Sequence, residues 1–476
     1  DATATGIYGS RGANGVVLIT TKTGSKGSAK IEFTSRTSSG SMMKPQGMMN
    51  GKEYAQITNE SYALNNQTLP FDNIESLTTN TDWLDAITRN SFREDVSLSI
   101  SGGGNKTTYY ISGNYLYDKG ILLASDNKRA SLRANVNSEV TNWYTLKFQL
   151  SLVRQSTNRA ISNAHAWPDD GGSFLDGLRA SPLIELDYLG YNGKGVPGYS
   201  GYWFANPYNE LASKTDILKN DNTIANIENW FKITSDLQFV LNLGINHSLS
   251  RRQVFFPEST SRAHSVNGTG SNRMANTYSY NLNGFFTYDK TFQEDHTINA
   301  TLGAEYNKQI VEQLNTSSSN FDVPEFGIYN IGSAKTQSVG SYRADRSILS
   351  SFMRLNYSYK GKYLLNSSFR LDGASPFAEN KKYGFFPSAA VAWNIAEEDF
   401  LKDLQLFSTA KIRTSYGVTG SQAIGEYSSL ARYNSSLYEI GSSGTTVTAV
   451  YPESLANANL SWERTKQFNA GIDLSM

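Results

Sequence analysis

Chemistry in this 476-residue chain would have to come from four histidines, a few acidic pairs and a glycine turn, since cysteine is absent. His165, His247, His264 and His296 are far apart in sequence and none stands in an H-E-x-x-H arrangement, so no metal site is expected. Without cysteine there is no disulfide framework and no thiol nucleophile, and no G-x-S-x-G elbow offers a serine. Asp169 with Asp170, and Glu397 with Glu398, are neighbours in loops or turns; a glycosidase pair needs carboxylates held apart by a scaffold. The stretch "YGSRGANGVVLITTK" places Gly9, Gly12 and Gly15 like a phosphate cradle. A cradle works at the N-terminus of a following helix, whereas Val16 to Thr21 is a β-branched run that predicts a strand, and no P-loop lysine follows. The chain is therefore not expected to be an enzyme, and no cofactor is expected.

Binding chemistry is better represented. Between Gln155 and Asn222, Trp167, Tyr199, Tyr202, Trp203 and Tyr208 are interspersed with glycines, and exposed aromatic faces beside polar groups suit sugars or peptides. The alternative is that they pack a small core of the loop itself. Arg354, Asn356, Arg370, Asp372, Lys411 and Arg413 share strand faces that are otherwise polar. Lysine plus arginine and aspartate plus glutamate both number 43, and this zero balance excludes the basic footprint of a nucleic-acid binder.

The elements that would carry these residues are strands. In "TINATLGAEYNK", Ile298, Ala300, Leu302, Ala304 and Tyr306 fall on one face while Thr297, Asn299, Thr301, Glu305 and Asn307 fall on the other. "YSYNLNGFFTYDK" alternates likewise, with Tyr278, Tyr280, Leu282, Phe286 and Tyr288 opposing Ser279, Asn281, Asn283, Thr287 and Asp289. Connections alternate between short ones, near 139–142, 234–236, 290–296, 360–362 and 396–404, and long ones over 155–222, 250–274, 308–343, 373–383 and 420–463. Short turns at one end and long loops at the other are the mark of an outer-membrane β-barrel, which a sandwich rarely needs. Trp143, Tyr144, Trp230, Phe231, Tyr288, Phe292, Tyr357, Tyr359, Tyr363 and Trp393 crowd the short-turn end as an interfacial girdle would. A short helix is expected over Lys52 to Tyr62. Before Lys30 the continuous apolar run through Val16, Val17, Leu18 and Ile19 predicts a strand buried on both faces, the end of a separate small domain.

Several segments together resemble the SusC/RagA family of TonB-dependent outer-membrane transporters: "DATATGIYGSRGANGVVLITTKTG", "TDWLDAITRN", "VSLSISGGGNKTTYYISGNYLYDKGIL", "FRLDGASPFAENKKYGFFPSAAVAWNIAEEDFL" and "NANLSWERTKQFNAGIDL", in family order. The resemblance implies an all-β fold, a transmembrane antiparallel barrel of about 22 strands when complete and about 14 here. Residues 1–27 would be the C-terminal end of the plug domain and 28–476 a partial barrel with long extracellular loops, the final strands and the TonB box lying outside these residues. Gly9, Gly12 and Gly15 become the turn before the last plug strand, with Arg11 and Asn14 set against the barrel wall. Arg354, Arg370, Asp372 and Arg413 would line the lumen. The implied function is TonB-dependent import of oligosaccharides or peptides across the outer membrane of a Gram-negative bacterium, with a SusD-like surface lipoprotein as lid and outer-membrane lipid around the wall. The alternatives are a lidless receptor for iron chelates or cobalamin, and a structural or adhesive surface barrel.

Overall fold

The computed structural model describes residues 9, 17–43, 47–160, 173–188, 206–260, 263–402, 408–440 and 445–475. Sixteen strands dominate: β1 (Gly27–Gly40), β2 (Ser91–Gly103), β3 (Thr107–Lys119), β4 (Asp126–Glu139), β5 (Tyr144–Asn158), β6 (Thr215–Lys232), β7 (Leu237–Phe256) and β8 (Thr269–Phe292) in the first half. The second half adds β9 (His296–Phe321), β10 (Ala334–Tyr359), β11 (Tyr363–Ala374), β12 (Tyr383–Asn394), β13 (Thr409–Ser421), β14 (Arg432–Ile440), β15 (Thr445–Ser454) and β16 (Glu463–Ser475). Fourteen of them form one antiparallel sheet in chain order, β1 through β13 and then β16, while β14 and β15 make a separate hairpin. The fourteen-strand expectation is met by the large sheet. The expected short helix is α1 (Gly51–Leu64), closed at its start by a reciprocal cap between Asn50 and Glu53.

Period-two alternation fixes the two faces of the sheet. In cross-strand register Phe239, Phe286, Leu302, Met353 and Phe369 form one row on the outer face, and Leu302 is 59% exposed. Such an exposed apolar belt suits lipid rather than water. The opposite face carries rows of asparagine, glutamate, serine and arginine.

Strand lengths depart from expectation. β8 spans 24 residues and β9 and β10 26 each, so much of the predicted loop sequence at 250–274 and 308–343 is strand, and those connections shrink to 257–268 and 322–333. The alternation weakens there because neither face needs to be greasy beyond the lipid layer, while the backbone ladder continues unbroken. The 420–463 loop likewise contains the β14–β15 hairpin. A second correction concerns Val17, Leu18 and Ile19, which are not in a strand; Val17 is 87% exposed. A two-sided buried strand needs neighbours on both edges, and no described strand pairs with this run.

The short-turn rim is stitched turn to turn. Backbone N–H groups of Glu139, Lys232, Asp289, Lys360 and Asn394 donate to carbonyls of Lys106, Trp143, Asp236, Asp295 and Lys362 at 2.7–2.9 Å. Side chains repeat the pattern, with Lys290 on Asp236 at 2.9 Å, Lys360 on Asp295 at 3.4 Å and Lys362 on Glu398 at 3.1 Å. Rings join along the same rim: Tyr144 stacks on Phe231 at 5.1 Å, Phe239 meets Phe286 at 4.8 Å, and Tyr363 stacks on Trp393 at 6.4 Å. The connection from Asn394 to Thr409 is longer than the other rim turns and contains α2 (Asp399–Lys402). Its anchor is Glu398, which accepts from the Tyr363 hydroxyl at 2.8 Å and the Trp393 indole at 3.0 Å.

These donors, Tyr363 first, then Trp393 and Lys362, hold the Glu398 carboxyl below the usual carboxylate range. A depressed folded-state value means the contribution is complete above the unfolded carboxylate value near 4.5 and is lost as pH falls through the lower folded value. Glu398→Gln should therefore lower thermal stability at pH 7 and narrow the difference from the parent progressively below pH 4.5, measured by thermal unfolding in detergent; a gap independent of pH would contradict this role.

Candidate functional site

The polar face is built from register. Glu228, Asn242, Asn283, Glu305, Ser350 and Asp372 come from six consecutive strands yet stand in one cross-strand row. The next row runs Val240, Phe285, Gly303, Phe352, Arg370. This face is the inner one in the sense that the chain's N-terminal segment lies on it: Asn135 donates to Lys22 O at 2.7 Å and to Thr21 at 3.3 Å.

Arg370 and Asp372 form its electrostatic centre. Two residues apart on β11, they share a face, and Arg370 Nε donates to Asp372 Oδ1 at 2.6 Å. Glu305 on β9 completes the cluster at 3.2 Å from Arg370 Nη2. Arg370 is 5% exposed and Asp372 fully buried, so neither charge can rely on water. The Phe352 ring supports the guanidinium, 5.6 Å from its centroid, and fits there because Gly303 opposite has no side chain: a Cβ on Gly303 would stand 2.7 Å from that ring.

Gly9 meets the wall at this cluster. Its φ is +70°, a left-handed conformation suited to glycine, and a Cβ there would stand 2.6 Å from Arg370 Nε. The glycine is required twice, by its left-handed φ and by the close approach. Of the other predicted turn residues, Arg11, Gly12, Asn14 and Gly15 lie outside the described residues.

Among the other predicted wall residues, Arg354 donates to Asn356 at 3.2 Å and Arg413 pairs with Asp473 at 3.0 Å, both on the same face as Arg370. The spacing of Arg370 and Asp372 announces a shared face, but Glu305, 65 residues upstream, reaches them only through register. Gly303 and Phe352 carry no local signal of their part in the cluster.

The loop aromatics divide. Trp167, Tyr199, Tyr202 and Trp203 lie outside the described residues. Tyr208 is half-buried and packs against two small cores of the long-loop end, one with Trp83, Ala180 and Ile184, the other with Leu84, Ile87 and Leu211. At this position part of the ring is used in packing, as in the alternative of a small core of the loop itself. The Trp83 indole donates to Ser181 O at 2.9 Å, fixing helical segments of two separate loops together. Of the histidines, His247 contacts Asn276 at 2.7 Å and His296 contacts the Tyr357 hydroxyl at 2.7 Å, while His165 and the side chain of His264 lie outside the described residues. Among the described residues no group of three or more histidines or acids is placed to hold a metal.

Removing Arg370 strands the buried Asp372 carboxylate and takes the ion-pair partner from the partly exposed Glu305. Arg370→Ala should cost about 3–5 kcal/mol of stability, read by thermal unfolding, and adding Glu305→Gln to that variant should restore part of the loss. Equal losses in the single and double variants would show that the cluster is not coupled.

Comparison with known proteins follows the same lines. Residues 166–476 match the family described as TonB dependent receptor-like, beta-barrel. The chain is 31% identical over 480 residues to TonB-dependent receptor P3 of Formosa agariphila, covering 100% of this chain and 46% of that protein. It is 28% identical over 508 residues to TonB-dependent receptor SusC of Bacteroides thetaiotaomicron, covering 99% of this chain and 48% of that one. Among solved structures, the RagAB peptide transporter superposes with a TM-score of 0.82 at 22% identity, over 100% of this chain and 56% of that chain, which is a likeness of fold. The chain spans about half the length of the curated relatives it matches. It belongs to the TonB-dependent receptor-like β-barrel family, whose barrel wall its fourteen-stranded sheet forms.

Proposed function

We propose that the protein actively imports an oligosaccharide or a peptide across the outer membrane of a Gram-negative bacterium, energised by TonB and capped by a SusD-like surface lipoprotein. The observation that carries this reading is Gly9 seated on the buried Arg370 cluster of a two-faced wall. An outer apolar face meets lipid, an inner polar face meets solute, and a turn held against the inner face is what a blocking segment requires. The similarity to a protein named SusC and the fold shared with a peptide transporter support the same direction.

In this reading residues 1–27 are the end of the plug, with Gly9, Arg11, Gly12, Asn14 and Gly15 as its wall turn, and residues 28–476 are part of the barrel. Trp167, Tyr199, Tyr202 and Trp203 in the long loop meet the cargo first, and Arg354, Arg370, Asp372 and Arg413 line its way. The device is a gate with two states: cargo shifts the lid and plug populations, and work delivered through TonB supplies the rest. No catalytic step is involved.

The full-length protein, purified gently from outer membranes, should bring a stoichiometric surface lipoprotein with it and carry a bound oligosaccharide or peptide, both identified by mass spectrometry. Recovery without a lipoprotein would overturn the lidded importer in favour of a lidless receptor for an iron chelate or cobalamin.

A further inference from the structure

Toward the long loops the outer face of the wall changes character. In cross-strand register Lys128, Ser156, Lys219 and Arg251 form one row over β4 to β7, and in the next row toward the short-turn rim Arg154 stands beside Asp221. By period-two alternation these residues share the outer strand faces of Leu132, Leu152 and Ile245. All four cations are exposed, the Arg154 side chain by 77%. Asp221 lies between the two arginines, 2.7 Å from Arg154 Nε and 3.2 Å from Arg251 Nη2. Among the described residues no carboxylate pairs with Lys128 or Lys219; Lys128 lies 5.6 Å from the Tyr117 ring centroid. One step nearer the long loops, Asp126 is opposed in register by Lys119, so it leaves the balance of the cluster unchanged.

Strand geometry sets the height of the cluster. From Tyr144 in the ring stack of the short-turn rim to Arg154, β5 climbs about 34 Å along its axis at roughly 3.4 Å per residue, which is about 25 Å of height at a tilt near 45°. A transmembrane barrel presents an apolar band about 25 Å tall, so the cluster stands where acyl chains give way to headgroups, on the long-loop, extracellular side. Cations at other boundary positions are matched. On the short-turn rim Lys290, Lys360 and Lys362 each meet a carboxylate, and farther round the wall, in the row of Arg154, Arg343 meets Glu312 at 3.1 Å. Over β4 to β7 four cations stand against the single carboxylate of Asp221.

We propose that this patch binds the phosphorylated headgroup of an outer-leaflet lipid, an inference that rests on the outer-membrane placement in the import reading and goes beyond it by assigning a lipid site on the wall. Asp221 holds Arg154 and Arg251 from between, which orients both guanidinium groups and leaves their other N–H donors for a phosphate, the anion whose geometry a guanidinium matches. Lys219, opposite Arg251 in register, adds a point charge, and the Ser156 hydroxyl between the two lysines adds a neutral donor. Lys128 and Arg251 stand on strands three spacings apart, about 14 Å at roughly 4.8 Å each. Directly below, toward the short-turn rim, Leu132, Leu152 and Ile245 are exposed on the same faces and meet the acyl chains of the same molecule. A free phosphate gains the charges but not this apolar contact.

The test is native mass spectrometry of the full-length protein in detergent, mixed with lipid A carrying its phosphates or with the same lipid stripped of them. The phosphorylated lipid should be retained in preference, and Lys128→Gln with Lys219→Gln should weaken its retention about fivefold for each cation removed. Lys128→Arg with Lys219→Arg should keep it, as should Lys290→Gln on the opposite rim. Equal retention of the two lipids, retention that the glutamine variants leave intact, an equal loss in the arginine variants, or displacement of the lipid by millimolar inorganic phosphate overturns the proposal. Neither TonB, lipoprotein nor cargo takes part in this measurement. A protein that shows no preference for the phosphorylated lipid but purifies with a lipoprotein leaves the import reading standing, and one that retains the lipid but purifies without a lipoprotein counts against the lid alone.

Discussion

Backbone hydrogen bonding inside a lipid layer is the constraint from which the rest follows. With no water available, every N–H and C=O must be paired within the protein, and a continuous antiparallel sheet does this strand by strand. Here the ladder runs from β2 through β11, the pairings of β8 with β9 and of β9 with β10 each extending over more than twenty residues. Once the ladder is fixed, side chains can only alternate, so Leu302 and Phe286 face out wherever Thr301 and Asn283 face in. The inner rows of asparagine, glutamate and arginine are the other half of the same alternation.

The alternation also explains how distant residues form compact clusters. Glu305 is brought to Arg370 and Asp372 by strand register across β10, and so is Asn299 to the amides of Asn356 and Asn366. Each cluster is then adjusted by a residue with little or no side chain: Gly303 admits the ring beneath Arg370, Gly9 approaches the guanidinium closely, and Ala390 interrupts the amide row. At Gly303 the missing side chain makes room for a ring, and at Gly9 for the close approach of the backbone.

What can be read from the sequence follows the range of the interactions concerned. Face assignment in β8 and β9 is legible because it is local and period two, and so is the pairing of Arg370 with Asp372. The role of Glu305 and the link from Asn356 to Asn299 are not, since they depend on pairing between residues tens of positions apart. The upper reaches of β8, β9 and β10 read as loop because polar sequence on both faces looks like loop when the backbone ladder is invisible. Val17 to Ile19 fails in the other direction: the run has the composition of a buried strand, but burial requires partners that the described residues do not supply. Tyr208 shows how a loop aromatic can pack against helices from separate loops.

The central claim is that this chain is a barrel wall with one face to lipid and the other to the transport path. These residues contain no cysteine, and a scan of single cysteines along β9 from Asn299 to Asn307 in the full-length protein in intact outer membranes, read against the same protein without the added cysteine, tests it directly, with a water-soluble maleimide as reagent. The account predicts alternation, with the positions of Ala300, Leu302, Ala304 and Tyr306 resisting the reagent and reacting instead with a lipid-soluble maleimide, and those of Thr301 and Glu305 behaving oppositely. Equal labelling of both sets by the water-soluble reagent, as a sheet surrounded by water would give, would contradict it.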